Sequence, residues 1–316
     1  MELRLYTPGD AEAWDALCAE AVNATFLHTR RFLSYHGARF DDVSTLVYHE
    51  GQLVGAIPLA RDRDDPGLVV SHPGITYGGM LHRGWLTGSR MTEALAGLKA
   101  LLAGLGAVRL RYKCVPTIYH RSPGQDDLWS LWSLGAKRYR CDLSCAVDLR
   151  SPLAFSERRR RSIRKATGRV GVVSDWSAMG QLYPIVAENL KRRYGVEPVH
   201  SLAELELLQA RFPQEIFLRA ALVDGRIEAG YVLFALGCVW HSQYSGTSEA
   251  GREMSALDPV TESVLNEATA TGVRYFDLGI SNEDQGKLLN EGLFRYKAEF
   301  GGGGVAHEFY ELGLGA

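Results

Sequence analysis

The feature that most limits how this chain can fold is a repeat of its first half in its second. Residues 46–56 place a Glu50-Gly51 turn between two apolar runs, and residues 221–230 place an Asp224-Gly225 turn the same way. Both read as β-hairpins, because a two-residue turn ending in glycine supplies the positive φ that a tight hairpin needs. Tyr77-Gly78-Gly79 parallels Tyr244-Ser245-Gly246. A helix ending at Gly106 and followed by the apolar run 107–112 parallels a helix ending at Gly272 and followed by 273–278. Four matched elements in one order imply duplication. The expectation is an α+β chain of two domains, 1–150 and 151–316. Each is a mixed sheet flanked by helices, and an inter-domain cleft is the natural site.

At 316 residues the chain has room for two cores. A net charge of −2 excludes a global attraction to nucleic acid or membrane, so any such contact comes from a local patch. The first residues lack the basic and apolar segments of a secretion signal. The longest apolar run, 229–240, is too short to span a bilayer and contains Gly230 and Gly237. A cytoplasmic monomer or dimer without membrane insertion is expected. The five cysteines form no Cys-x-x-Cys pair. Cys141 and Cys145 fall on the odd, apolar positions of an alternating strand over 138–149, which predicts buried free thiols. The nine histidines show no metal-ligand spacing and no Gly-x-Ser-x-Gly occurs, so neither a metal nor a serine nucleophile is expected.

The second copy departs from the first in one stretch. After 273–278 come Ser281, Asn282, Glu283 and Asp284, then a helical segment carrying Tyr296 and Lys297 just ahead of a glycine cluster. The first copy continues instead into Lys113-Cys114-Val115-Pro116. This asymmetry assigns the chemistry to the second domain. Lys297, beside an aromatic ring and a Gly-rich turn, is the candidate for stabilising developing negative charge. Glu283 or Asp284 can hold an ammonium or take its proton. Ser281 or Asp284 suits a helix N-cap equally well. Tyr77 and Tyr244 either line a substrate or pack in the core, and the same holds for His72 ahead of the Tyr77 loop. Asp258 with Pro259 reads as a helix cap and first residue. Arg158, Arg159, Arg160, Arg161, Arg164 and Lys165 wrap more than one face of a helix capped by Ser156, with only Glu157 against them. A solvated face and a phosphate-tracking surface both remain open.

The element order hairpin, strand, loop, helix, strand resembles the GNAT acyltransferase fold. Its doubling resembles the Fem family, aminoacyl-tRNA-dependent transferases that extend peptidoglycan bridges. The resemblance is carried by residues 276–280 and 290–293, by Tyr296-Lys297 ahead of Phe300-Gly301-Gly302, by the basic segment 158–165 and by residues 26–33. It implies tandem GNAT-like domains, the first on the acceptor side and the second, catalytic, on the donor side. Lys297, Tyr296 and Glu283 are then catalytic, and Tyr77, His72, Tyr244, Ser281, Asp284 and Asn290 contact substrate. Arg30 and Arg31 lie near acceptor phosphates where the acceptor is UDP-linked, and the basic helix binds tRNA. Aminoacyl-tRNA is the co-substrate, with no cofactor, and the acceptor is an amine-bearing peptide-like small molecule. An activated ester needs no covalent enzyme intermediate, because alignment and oxyanion stabilisation carry most of the rate.

Two features depart from the wider pattern. No heptad stretch long enough for a coiled-coil arm is present. The Gly-rich pyrophosphate loop of acetyl-CoA-dependent GNAT enzymes is replaced by residues 251–259, where Glu253 and Asp258 would repel a pyrophosphate. Aminoacyl transfer from tRNA to an amine is therefore expected. Transfer from acetyl-CoA and a non-catalytic binding module are the alternatives.

Overall fold

The computed structural model describes residues 1–315 and separates into two compact units. The first contains residues 1–143, 282–288 and 306–315, and the second contains 144–281 and 289–305. The division differs from a single boundary at 150. The chain crosses inside the strand Lys137–Asp148, goes back for residues 282–288, and returns for the last time inside the strand Gly303–Gly313. It returns because the last strand has its apolar partners in the first unit. It pairs antiparallel with Arg109–Lys113, and Leu312 and Leu314 are buried in that core.

In the first unit, Glu2–Leu5, Thr45–His49, Gln52–Ile57 and Leu81–His82 form an antiparallel sheet. The helix Ala11–Glu20 seals one face of it with Trp14, Leu17 and Cys18 against Leu46, Ala56 and Leu81. A second sheet runs from the chain's last strand through Arg109–Lys113 and Leu68–Val70 to Ala60–Arg61 and Asp41–Asp42. The helices Ser89–Gly104 and Asp126–Ser133 contribute Leu95, Leu98 and Leu131 to the core beneath it.

The second unit is a mixed sheet. Its strands follow the order Gly171–Val173, Ile216–Val223, Arg226–Leu236, Val239–Thr247, Tyr275–Ile280 and the end of Lys137–Asp148. Pairing is antiparallel except between Val239–Thr247 and Tyr275–Ile280. The parallel join requires a crossover, which the helix Leu257–Ala270 supplies. Phe276, Leu233, Val260, Val264 and Phe300 fill the core.

The two hairpins are built alike. Glu50 and Gly51 have φ of 49° and 75°, and Asp224 and Gly225 have 48° and 80°. Each hairpin has a register shift just before its turn, at Val47/Tyr48 and at Ala221/Leu222.

Two local expectations change. In Lys137–Asp148, Cys145 is a buried free thiol and Cys141 a half-buried one, but Asp142 and Ser144 on the other face are buried too. Each has a polar partner that permits this: Arg140 for Asp142 and Asp277 for Ser144. The helix Leu257–Ala270 starts with Ala256 at its cap position, so Asp258 lies in the first turn instead of capping it. Among the described residues no helix exceeds 16 residues, none is long and apolar enough to cross a membrane, and no cluster of His, Cys, Asp and Glu is placed to hold a metal.

Candidate active site

The strand Tyr275–Ile280 ends in a bulge. Its register with the neighbouring antiparallel strand shifts between Asp277 and Ile280, and Gly279 sits at φ +82°. A bulge of this kind turns backbone carbonyls out of the ladder. The helix Glu291–Ala298 covers them. Asn290 caps this helix, its Oδ1 accepting from Leu293 N at 2.9 Å, and its own N–H donates to Ser281 O at 2.8 Å. Asn290 thus holds the helix to the strand end, a structural duty for a predicted substrate residue. Lys297, 9% exposed, points inward and donates from Nζ to Gly279 O at 2.9 Å and Ile280 O at 2.7 Å. Burial pushes its ammonium down to about 8 against the upward pull of Asp277 and Cys145. Two of its three N–H donors are occupied by the strand end, which leaves one for a substrate oxygen. Ser281 is buried beside it, with its hydroxyl unpartnered.

Sequence reasoning missed three neighbours. Asp277, fully buried, accepts from Ser144 Oγ at 2.5 Å and Gly279 N at 2.8 Å, and lies 3.1 Å from His241 Nδ1. An aspartate on Nδ1 fixes the ring proton there and makes Nε2 the basic nitrogen. The signal was an acid inside the apolar run Phe276-Asp277-Leu278, which a buried strand tolerates only with partners. His241 is also where two strands part. Val239, Trp240 and His241 pair in parallel with Tyr275, Phe276 and Asp277, and the register ends there although both strands continue. Beyond that point the two strands no longer pair with each other, so their facing backbone groups leave the ladder.

Tyr296 and Arg159 belong to a different network. Arg159 Nη1 forks onto Asp258 at 2.9 and 2.7 Å, and its Nε donates to Glu299 at 2.8 Å. The guanidinium carbon stands 4.6 Å from the Tyr296 ring centroid, and the Tyr296 hydroxyl donates to Asp258 at 3.1 Å. Arg159 and Asp258 are both buried, so Arg159 is a core ion pair and not part of an RNA-facing surface. Tyr296, one residue from Lys297 and so rotated about 100° around the helix, faces this network and not the Lys297 cluster. The other basic residues divide. Arg158 pairs with Glu299 and Arg160 with Glu157, whereas Arg161, Arg164 and Lys165 are exposed. Asp258, neutralised by Arg159, no longer opposes a pyrophosphate. The segment that stands in place of the Gly-rich loop begins with the short helix Glu249–Met254, capped by Ser248, and a side chain at Gly251 would meet Glu228 O at 2.4 Å.

The remaining predicted residues are scattered. The Tyr244 hydroxyl accepts from His200 N at 3.1 Å and lies 2.7 Å from His200 Nδ1, fixing the connection between two helices. Tyr77 is buried against the rings of His28 and Tyr119. Glu283 and Asp284 are exposed and belong to the first unit, with Asp284 3.4 Å from Lys287. Arg31 is exposed, with its backbone N–H on Asp15. Arg30 and His72 do come together, in the wall of one pocket in the first unit.

Residues 155–298 match the acetyltransferase (GNAT) domain family, and all of them except 282–288 belong to the second unit. Over the whole chain the fold is the α+β fold of tandem-GNAT proteins. It is similar to the crystal structure of FemX, with a TM-score of 0.71, 13% identity, and coverage of 99% of this chain and 97% of that one. The structure of L-PGS from Bacillus licheniformis follows at a TM-score of 0.62 and 12% identity, covering 98% and 93%. A tandem GNAT protein from the clavulanic acid biosynthesis pathway gives 0.55 and 13%, covering 100% and 99%. No curated protein sequence matches the chain.

Proposed function

We propose that the chain is an amide-forming acyltransferase. It moves an aminoacyl group from aminoacyl-tRNA to an amine of a peptide-like acceptor, a natural-product intermediate or a peptidoglycan precursor. The observation that carries the reading is the Lys297 ammonium, buried at a bulged strand end in the unit that also holds the oriented His241–Asp277 pair. The neutral amine attacks the ester carbonyl and forms the C–N bond. His241 Nε2 takes the proton the nitrogen sheds, and the remaining Lys297 N–H stabilises the oxyanion. Collapse breaks the C–O bond, and the proton passes from His241 to the departing ribose oxygen. The exposed Arg161, Arg164 and Lys165 support an RNA donor, since a small patch of unpaired cations tracks phosphates without reading sequence. Incubation with a charged tRNA pool and candidate amines tests the reading: RNase-insensitive transfer would sink it.

A second reading, acetyl-CoA-dependent N-acylation, gains from one observation. The buried Arg159–Asp258 pair cancels one of the two charges that opposed a pyrophosphate near the start of Leu257–Ala270, the exposed Glu253 being the other. Micromolar binding of acetyl-CoA by calorimetry, with transfer independent of RNA, would establish it over the first.

A further inference from the structure

The first unit contains a pocket of about 200 Å3, with Tyr6, Arg30, His36, Phe40, Asp42 and His72 in its wall. Its polar groups are arranged with opposite charges available. The Arg30 guanidinium carbon is wedged 3.5 Å from the Tyr6 ring centroid and 3.9 Å from that of Trp14. Nη1 donates to Asp42 at 2.5 Å, while Nε and Nη2 are buried without an acceptor. With its charge met by Asp42 and two buried N–H groups still idle, the guanidinium has room for a second acceptor. His72 supplies a second donor. Gly74 N–H donates to its Nδ1 at 3.2 Å, so the neutral ring carries its proton on Nε2. Burial, with His36 beside it, pushes the imidazole down to about 3 and keeps it neutral. The His72 backbone stands at φ +55°, a conformation a non-glycine residue holds only where its surroundings impose it. Asp42 is 39% exposed and is the carboxylate of the wall.

The size and the other walls narrow the ligand. The volume is below the roughly 300–1,000 Å3 of a cofactor or drug-sized site. Tyr6, Leu33 and Phe40 provide apolar surface. The two histidines and Asp42 are not placed to share a metal. We propose that this pocket binds a free α-amino acid with an apolar side chain as its zwitterion, the carboxylate on Arg30 and His72 and the ammonium on Asp42. Taken with the reaction proposed above, on which this clause alone rests, the amine acceptor is an amino-acid-like molecule.

Titration calorimetry on the full chain tests the binding without needing any transfer, so its failure is separate from failure of the reaction. The probes are L-leucine, 3-methylbutylamine, 4-methylpentanoate and inorganic phosphate. L-leucine is expected to bind saturably, and each compound lacking one charge to bind at least about tenfold more weakly. Asp42→Asn weakens L-leucine by about tenfold or more and leaves 4-methylpentanoate unweakened. Ser34→Trp, an exposed position in the pocket wall, fills the space without altering charge and abolishes L-leucine binding. Circular dichroism confirms that both variants fold. Any one of three results overturns the proposal: no saturation by L-leucine at about 10 mM, tighter binding of phosphate than of L-leucine, or L-leucine binding that survives Ser34→Trp.

Discussion

Arg159→Ala separates a core ion pair from an RNA contact. The side chain makes two hydrogen bonds to Asp258 and one to Glu299, and stacks near the rings of Tyr296 and Phe300. Asp258 is 2% exposed, so removing the arginine leaves a buried carboxylate with only the Tyr296 hydroxyl facing it. Stripping one partner from a buried pair costs about 3–5 kcal/mol, because the remaining charge has lost its compensation. In a chain of this size that lowers the melting temperature by roughly 6–20 °C. The assay pairs urea unfolding with a filter-binding isotherm against unfractionated tRNA. At a temperature where the variant is fully folded, its tRNA affinity is expected within about twofold of wild type, since a buried group contacts no phosphate. A variant that loses less than about 1 kcal/mol of stability, or one that keeps its stability and loses tRNA binding, would refute the reasoning.

The remaining predictions concern the exposed cations and Lys297. Replacing Arg161, Arg164 and Lys165 together by alanine leaves stability within about 0.5 kcal/mol. It also reduces the slope of log tRNA affinity against log salt by about 2, read from binding at several salt concentrations. Lys297→Met lowers turnover by about 10²–10³, as loss of an oxyanion donor does. Its stability stays within about 2 kcal/mol, because relief of the buried charge offsets two carbonyls left without donors. Urea unfolding from pH 7 to 10 checks the sign for the wild type. The folded-state value of about 8 lies below the ordinary 10.5, so the penalty is complete below pH 8 and relieved between 8 and 10.5. Relative to Lys297→Met, the wild type gains about 3 kcal/mol across that window. Turnover moves the other way, falling above pH 8 as the ammonium deprotonates.

The hairpins, the helices and the doubling were legible because each is written in local chemistry. Asp224-Gly225 sets its own turn, and Ser156 caps its helix through its side chain, accepting from Arg159 N at 3.2 Å. Lys297 was legible as a position but not as a geometry. Nothing nearby in sequence says that its partners are carbonyls 17 and 18 residues upstream, freed by a bulge. The basic helix misled through Arg159, whose acids lie 99 and 140 residues away, so the run looked less compensated than it is. His241, Asp277 and Ser144 come from three strands and meet only when the sheet assembles. The return of the last strand to the first unit is equally non-local, since it depends on pairing with Arg109–Lys113.

The most direct test of the central claim is transfer itself. The purified chain is incubated with tRNA charged with a mixture of radiolabelled amino acids and a panel of amines, with and without RNase treatment beforehand, and the amide products are resolved by chromatography. The account predicts label in an amide that disappears after RNase treatment and falls about 10²–10³ with Lys297→Met. Label that survives RNase, or appears only when acetyl-CoA is the donor, would contradict it.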